Sequence, residues 1–494
     1  MAEKYNNFIG GEWVAPSTGE YVENINPANT NDIIGLFPRS SKEDVDRAVD
    51  SAFEAYKKWH LIPAPKRGLY LQRVGDILTR RKEEIARVMT REMGKILMET
   101  RGDVQEGIDT AYYTAGEGRR LFGETVPTEL PNKFAMSVRM PVGVCGMITP
   151  WNFPIAIPTW KLFPALISGN TCVIKPATLT PASLALLMEV FEEAELPPGV
   201  VNMVCGTGSE VGEAIIDNPK VNRISFTGSA EVGKRIAERC GALLKPVSLE
   251  MGGKNAEIIM EDANLKLALE GALWGAFGTT GQRCTATSRL IVHRDVHDEV
   301  LKELVKRARG LKIGDGLDES IDMGPMVSEE QRKTVLEYIE IGKREGAKLV
   351  CGGGALTTGN YTRGFFIEPT IFDEVKPDMR IAQEEIFGPV LSVITVGSLE
   401  EAIDVLNNTQ YGLSSSIYTR DVNRAFRAIR DIEAGITYIN GPTIGAEIQL
   451  PFGGVKDTGN GHRESGTTVY DFYTEWKSVY IDYSGRLQRA QIDT

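Results

Sequence analysis

Short apolar runs alternate with amphipathic helical runs from about residue 142 onward, and this alternation limits the fold more than any other feature of the chain. The β-like runs of this block lie at 144–148, 172–174, 200–204, 223–226 and 246–249. Between two of them, Thr180 is the predicted N-cap of a helix that has Pro181 at its first position. Strands that alternate with helices predict a parallel sheet covered on both faces, with ligands at the carboxyl ends of the strands.

A second alternating block begins near Ile258 and predicts a second α/β domain. Its β-like runs lie at 290–292, 391–396, 414–419 and 436–440, and a helical run covers 297–309. The N-terminal third has helical periodicity after a short β-like start, with Ser41 as a predicted N-cap. The segment 124–138 has the composition of a hairpin, and the tail ends in a β-like run at 479–483.

Composition and charge make several classes of protein improbable. The 494 residues carry 67 acidic and 55 basic side chains, a net charge of −12, so we expect no nucleic-acid partner. We expect no signal peptide, because polar residues rather than an apolar region follow the N-terminus. We also expect no membrane span, because prolines interrupt the most apolar stretch, 141–174. Six dispersed cysteines without a C-x-x-C pair indicate reduced thiols in the cytoplasm, and four dispersed histidines lead us to expect no metal site.

Three polar residues lie at turns where chemistry is common in α/β proteins. Cys284 follows a glycine-containing turn, and Arg283 would lower the pKa of its thiol if the guanidinium pointed inward. Glu250 ends a β-like run just before paired glycines, and Asn152 lies between Pro150 and Pro154, where a fixed amide is a good oxyanion donor. Taken alone, each also fits a structural role: a buried thiol, a surface acid and a turn-forming Asn.

Two glycine turns follow β-like runs and are candidate phosphate sites. The turn at 206–212 misses the G-x-G-x-x-G pattern by one residue. The turn at 226–233 contains Gly228 and Ser229 and opens a helix, whose N-terminal N–H groups suit a pyrophosphate. Tight turns also need glycine for conformational reasons alone.

The motifs together resemble the aldehyde dehydrogenase superfamily over essentially the whole chain. The matching segments, in order, are Pro-Trp-Asn-Phe-Pro at 150–154, Lys-Pro at 175–176, Phe-Thr-Gly-Ser at 226–229, Leu-Glu-Met-Gly-Gly-Lys at 249–254, Gly-Gln-Arg-Cys at 281–284, Glu-Glu-Ile-Phe-Gly-Pro at 384–389 and Pro-Phe-Gly-Gly at 451–454. The resemblance implies a Rossmann-like cofactor domain, a second α/β catalytic domain and a small β element for oligomerisation. We place them at 1–122 with 142–252, at 253–471, and at 123–141 with 472–494.

The resemblance implies that the chain oxidises an aldehyde to a carboxylate with NAD or NADP. Cys284 would be the nucleophile that forms a thiohemiacetal and then a thioester, Asn152 the oxyanion donor, and Glu250 the base that activates water. The cofactor would contact Trp151, Lys175, Thr178, Gly228, Ser229, Glu385 and Phe387. A homo-oligomer, a dimer or a tetramer, is implied as well.

Position 178 departs from the pattern of NAD-preferring members, which often have Glu there. Thr178 would not repel a 2′-phosphate, so we expect NADP to be accepted. The expected substrate pocket consists of Phe153, Ile157, Trp160, Arg283, Thr285, Ala446, Glu447 and Phe452. Arg283 suits an anionic tail, as in a semialdehyde or in glyceraldehyde 3-phosphate oxidised without phosphorylation.

Two rival classes share this scaffold. A CoA-acylating aldehyde dehydrogenase would not need a hydrolytic base, so the presence of Glu250 argues against it. A non-catalytic structural protein would be free to lose Cys284 or Glu250, and the chain has both.

Overall fold

The computed structural model describes residues 3–492. The N-terminal part contains β1 (Asn7–Ile9), β2 (Glu12–Val14), β3 (Tyr21–Asn26), β4 (Asn29–Pro38), α1 (Lys42–Trp59), α2 (Ala64–Met93), α3 (Leu97–Glu117), β5 (Glu124–Val126) and β6 (Lys133–Pro141). It is followed by β7 (Val144–Ile148), α4 (Ala156–Ile167), β8 (Thr171–Lys175), α5 (Pro181–Glu193), β9 (Val201–Met203), α6 (Glu213–Asp217), β10 (Val221–Thr227), α7 (Ala230–Ala242) and β11 (Val247–Glu250).

The remaining elements alternate in the same way. They are β12 (Ala256–Ile259), α8 (Leu265–Phe277), β13 (Arg289–His293), α9 (His297–Arg309), α10 (Glu329–Arg344), β14 (Lys348–Cys351), β15 (Ala355–Leu356), β16 (Phe366–Ile367), β17 (Thr370–Asp373), α11 (Arg380–Gln383), β18 (Val390–Val396), α12 (Leu399–Asn407), β19 (Ser414–Tyr418), α13 (Val422–Asp431), β20 (Ile436–Ile439), α14 (Tyr470–Tyr473) and β21 (Thr474–Asp482). The predicted β-like runs all coincide with strands to within a few residues.

Two seven-stranded sheets form the frame of the molecule. The first has the order β11-β10-β7-β8-β9-β1-β2, and β7 to β11 pair in parallel. The second has the order β14-β17-β18-β13-β12-β19-β20, parallel except at β14. The α/β class with two parallel sheets is therefore confirmed.

The link between the sheets positions the site. The strand β11 ends at Glu250 in the first sheet, and β12 begins at Ala256 in the second. The predicted boundary near Gly252 lies in this link, although Tyr470, Phe472 and Tyr473 return to the core of the first unit. What each unit does, cofactor binding or catalysis, stays a prediction at this stage.

The hairpin and the tail form a separate small sheet. The strand β21 pairs antiparallel with β6 over nine residue pairs, from Thr474 opposite Pro141 to Asp482 opposite Lys133, and β5 covers the other side of β6. The hairpin expected at 124–138 and the tail strand expected at 479–483 both belong to it.

The two predicted N-caps have different outcomes. Ser41 accepts a hydrogen bond from the Glu43 N–H and forms a capping box with Asp44. Thr180 precedes α5 as expected, but its side chain makes no capping bond. The carboxylate of Glu92, from α2, caps that helix instead by accepting from the N–H groups of Ala182 and Ser183 at 2.9 and 2.8 Å.

Candidate active site

The loop that carries Cys284 has an unusual backbone. Thr279, Thr280 and Gly281 have positive φ angles of 54°, 57° and 69° in succession. Two consecutive non-glycine residues in the left-handed region are strained, which is typical of functional turns. At Gly281 a Cβ would collide with the backbone of Gly388. All six cysteines are described and unbridged; five are fully buried, and Cys284 is mostly buried but partly accessible.

Glu99 holds this loop from α3. Its Oε1 accepts from the Thr279 N–H at 2.6 Å and from Arg283 Nη2 at 3.1 Å. The side chains of Arg283 and Glu99 are only 12% and 6% exposed, so this is a largely buried ion pair. Arg283 also donates from Nε to the Thr279 hydroxyl at 2.8 Å. One carboxylate therefore fixes both the start of the loop and the residue next to Cys284.

The expected effect of Arg283 on the thiol is wrong. Burial raises the pKa of Cys284 to about 12, and the negative charges of Glu385 and Glu250 raise it further. Arg283 is directed to Glu99 rather than to the sulfur. The thiol is therefore protonated at neutral pH, and a nucleophilic thiolate needs a base or a bound electrophile.

Glu250 faces Cys284 from the end of β11. It is 3% exposed, and neither carboxylate oxygen has a hydrogen-bond partner among residues 3–492. Burial and the neighbouring Glu464 raise the pKa of Glu250 well above its usual range. A buried carboxyl without partners and with a raised pKa is typical of a general base.

A buried ion pair lies behind Glu250. Lys161 Nζ contacts Glu464 Oε1 at 2.6 Å and Ser225 Oγ at 2.8 Å. Gly453 closes the same wall, because a Cβ there would lie 2.5 Å from Glu250 Oε1. Lys161 therefore compensates the charge of Glu464 but makes no hydrogen bond to Glu250.

Asn152 is positioned against the loop of Cys284. Its Nδ2 donates to the Gln282 carbonyl at 3.2 Å, while Oδ1 has no partner in the described chain. The helix α4 that follows is anchored by Asp103, whose Oδ1 accepts from the Ala156 N–H at 2.7 Å. The amide therefore lies beside the nucleophile, as an oxyanion donor must.

Most of the expected substrate residues line one cavity of about 110 Å³. These are Phe153, Ile157, Trp160, Arg283, Thr285, Ala446 and Phe452, together with Cys284 and Glu250. Glu447 is the exception: its side chain is exposed, lies outside the lining and accepts from Gln449. It points away because its backbone lies on an exposed turn. The lining residues not expected from the sequence include Glu106 and Glu464.

A second cavity of about 220 Å³ meets the first at Cys284. It is lined by the expected cofactor residues Trp151, Gly228, Ser229, Glu385 and Phe387. Ser229 caps α7, whose N-terminal N–H groups suit a phosphate. Burial raises the pKa of Glu385 to about 7, and a Cβ at Gly252 would collide with its carboxylate. The cavity therefore combines a helix N-terminus, a carboxylate and the rings of Trp151 and Phe387, whose centroids are 5.2 Å apart. These groups fit the phosphates, a ribose and an aromatic base of a dinucleotide.

Lys175 and Thr178 lie apart from both cavities, at the end of β8. Lys175 Nζ donates to the carbonyls of Pro176 and Gly206 at 2.7 and 3.2 Å, and burial lowers its pKa to about 8. Thr178 is exposed, and its hydroxyl lies 3.4 Å from the same Gly206 carbonyl. These two residues lie together at the carboxyl end of β8, where α/β sheets bind ribose.

The histidines take structural roles. His297 bonds Asp298 and Asp373 at 2.9 Å each. Over residues 3–492 there is no group of three or more His, Cys, Asp or Glu side chains that could hold a metal ion. No helix in that range is both long enough and apolar enough to span a membrane.

Sequence reasoning missed an acidic face of α3. Glu99, Asp103 and Glu106 have i, i+4, i+7 spacing and lie on one side of the helix. They contact the loop of Cys284, the start of α4 and the substrate cavity, respectively. The spacing is a visible signal, but it also fits a solvated helix face.

Comparison with known proteins agrees with this geometry. The model of the aldehyde dehydrogenase family matches residues 13–479. An alpha-ketoglutaric semialdehyde dehydrogenase of Bacillus subtilis is 46% identical over 97% of this chain and 98% of its own length. An alpha-ketoglutarate semialdehyde dehydrogenase of Haloferax volcanii is 44% identical over 98% of this chain and 100% of its own.

A solved structure matches the fold over the same extent. A betaine aldehyde dehydrogenase from Staphylococcus aureus, crystallised in complex with NAD+, superposes with a TM-score of 0.95. It is 34% identical, and the match covers 98% of this chain and 95% of that one.

Proposed function

The chain belongs to the aldehyde dehydrogenase family and oxidises an aldehyde to a carboxylate with NAD or NADP, and within that chemistry we propose that its substrate is a semialdehyde with a carboxylate at the far end. The observation that carries the proposal is the placement of Arg283, whose guanidinium lines the same cavity as Cys284. Its Nη1 makes no hydrogen bond within the described chain and remains available to an anion.

The geometry supports the following residue roles. Glu250 accepts the proton of the Cys284 thiol as the sulfur adds to the aldehyde carbon and passes it to solvent, and the resulting oxyanion is stabilised by the Asn152 amide and the Cys284 N–H. A nicotinamide held in the second cavity would supply the hydride acceptor that converts the thiohemiacetal on Cys284 into a thioester. Glu250 then takes a proton from water, the hydroxide attacks the thioester, and the carboxylate and the thiol are released.

The cofactor is held by residues of the second cavity and of the β8 edge. Ser229 and the start of α7 bind the phosphates, Glu385 binds a ribose, and Lys175 with Thr178 contacts the adenosine end. Phe387 and Trp151, whose rings are in contact, would pack beside the nicotinamide. The residues 1–122 with 142–252 would thus form the cofactor domain, and 253–471 the catalytic domain.

A betaine-type aldehyde is the second candidate, because the cavity is also aromatic. The ring centroids of Trp160 and Phe452 are 4.8 Å apart, and Phe153 lines the same cavity. Aromatic ring faces bind quaternary ammonium groups. The two candidates differ in the sign of the charge at the far end of the substrate.

A panel of aldehydes that differ in this charge tests the proposal. Initial rates without CoA are compared for 2,5-dioxopentanoate, uncharged pentanal, betaine aldehyde and glyceraldehyde 3-phosphate. A charge-assisted hydrogen bond contributes about 1.5–3 kcal/mol, so kcat/KM for 2,5-dioxopentanoate should exceed that for pentanal by roughly 10- to 100-fold. Arg283→Gln should remove most of this preference, whereas Arg344→Gln, an exposed control, should keep it. A preference for betaine aldehyde, or turnover only with CoA, contradicts the proposal.

The proposal includes a homo-oligomer in the cytoplasm. The small sheet of β5, β6 and β21 presents Trp476, Tyr480 and Ile481 to solvent in the single chain, at 53%, 73% and 47% exposure. An apolar edge of this kind suits burial against a second copy. Light scattering should give a dimer or a tetramer, and a mass near 54.3 kDa at micromolar concentration contradicts this. Unbridged cysteines support a reducing compartment.

A further inference from the structure

We propose that Glu106 determines whether a substrate with a carboxylate at its far end is accepted. As a neutral carboxylic acid, Glu106 donates a hydrogen bond to the substrate carboxylate next to Arg283. As a carboxylate, it repels that substrate. The proposal rests on the semialdehyde assignment above. Glu106 lies on α3, and its side chain lines the cavity of Cys284. Its carboxyl group makes no hydrogen bond with another residue of the described chain.

The neighbouring charges cancel in pairs. Arg283 is paired with Glu99 at 3.1 Å, and Lys95 is paired with Asp103 at 2.6 Å. Both cations also lie over the ring of Phe153, at 5.4 and 3.9 Å from its centroid. Because these two pairs sum to no net charge, the protonation state of Glu106 decides whether Glu106 and the two pairs together carry a net charge of −1 or of zero.

The groups that face Glu106 place its titration near neutral pH. From α3 itself come Asp103 and Asp109, from the segment before α3 comes Lys95, and from the loop of Cys284 comes Arg283. Tyr438 of β20 lies close enough to be influenced by Glu106. Burial and Asp103 raise the pKa of Glu106 to about 8, against the opposing effect of Arg283 and Lys95.

Glu250 titrates in a different environment. The largest charge effects on Glu250 come from Glu464, Lys161 and Arg463, whereas those on Glu106 come from Asp103, Arg283, Lys95 and Asp109. Both acids line the same cavity, but different charged groups dominate their electrostatics. A ratio of rates for two aldehydes that use the same chemical steps removes the pH dependence of Glu250 and leaves that of Glu106.

That quantity is the ratio of kcat/KM for 2,5-dioxopentanoate to kcat/KM for pentanal, measured with the full-length protein and saturating NAD. The two aldehydes share the steps at Cys284 and Glu250, so their pH dependence cancels in the ratio. With a pKa of about 8, the acid form falls to ~3% at about pH 9.5, so the wild-type ratio should fall by roughly tenfold to 30-fold from about pH 6.5.

Variants at position 106 separate the outcomes. Glu106→Gln keeps a donor at every pH and should give a high, flat ratio, whereas Glu106→Leu should give a low, flat one. Glu447→Gln removes an exposed acid outside the cavity and should follow the wild type.

The wild-type profile alone suffices to refute the proposal. A high ratio that stays flat with pH, or an unchanged fall in Glu106→Gln, overturns the role of Glu106 and leaves the semialdehyde assignment intact. A wild-type ratio near one at every pH overturns the semialdehyde assignment and this proposal with it.

Discussion

The high pKa of the Cys284 thiol makes a quantitative prediction about its reactivity. Burial and two acidic neighbours raise this pKa to about 12. Without cofactor or substrate, the cysteine should therefore react slowly with iodoacetamide at neutral pH, although it opens onto two cavities. The pH is the variable to change, because at pH values below the pKa each increase of one pH unit raises the thiolate fraction about tenfold.

The expected rate follows from two opposing effects. At about pH 7.5 a thiol of pKa ~12 has roughly 3,000-fold less thiolate than a free thiol of pKa ~8.5. A more basic thiolate is a better nucleophile by about 30- to 40-fold over this interval, given a Brønsted slope of ~0.45. Alkylation of Cys284 should therefore be slower than that of free cysteine by about two orders of magnitude.

Mass spectrometry of the alkylated protein measures this rate at each pH. The other five cysteines are buried, so one carbamidomethyl group should appear first, at Cys284, and should be absent from Cys284→Ala. Glu250→Gln removes an acid whose charged form raises the thiol pKa and should therefore speed the reaction at the alkaline end of the pH series, where Glu250 is ionised. A rate that levels off near pH 8, or no acceleration in Glu250→Gln, would show that the thiol pKa is not set by burial and these acids.

Three further predictions test other parts of the site. Glu250→Gln should lower steady-state turnover by about 100-fold or more while leaving a burst of reduced cofactor, and an unchanged steady-state rate excludes the base role. Thr178→Glu should reduce kcat/KM for NADP by about tenfold or more and change that for NAD little, since the new carboxylate repels a 2′-phosphate; an unchanged NADP/NAD ratio contradicts this. Glu99→Gln leaves Arg283 buried without its counter-ion and should lower the free energy of unfolding by about 3 kcal/mol in a denaturant titration, whereas the exposed control Glu319→Gln should cost under ~1 kcal/mol.

Sequence periodicity is sufficient to predict the strands that form the two large sheets. Strands such as β7 and β18 are short apolar runs between turn residues, so their positions follow from local pattern alone. Thr180 occupies the N-cap position of α5 as predicted, but its side chain does not supply the capping hydrogen bond. The carboxylate that caps α5 comes from Glu92, about ninety positions earlier, and a local rule cannot identify such a partner.

The site is predictable in its members but not in its electrostatics. The motifs identify Cys284, Glu250 and Asn152 as neighbours, and in the structure Glu250 lines the first cavity, Asn152 lines the second, and Cys284 lines both. The sequence contains no sign that Arg283 is directed to Glu99, because that pairing depends on how α3 packs against the loop. Glu447 shows the same limit, since a position next to the pocket does not determine where a side chain points.

The acidic face of α3 explains why two separate sheets can share one reactive centre. Asp103 fixes the start of α4, after the first sheet's Asn152, while Glu99 fixes the strained loop of Cys284, which leads into the second sheet. Both acids lie on one rigid helix of 21 residues, so the oxyanion donor and the nucleophile are held relative to the same support. Left-handed residues at 279 and 280 are costly, and a buried carboxylate that accepts from both ends of the loop offsets part of this cost. Because Glu106 extends the same face to the cavity, the helix that holds Cys284 and Asn152 in place also lines the cavity into which Cys284 opens.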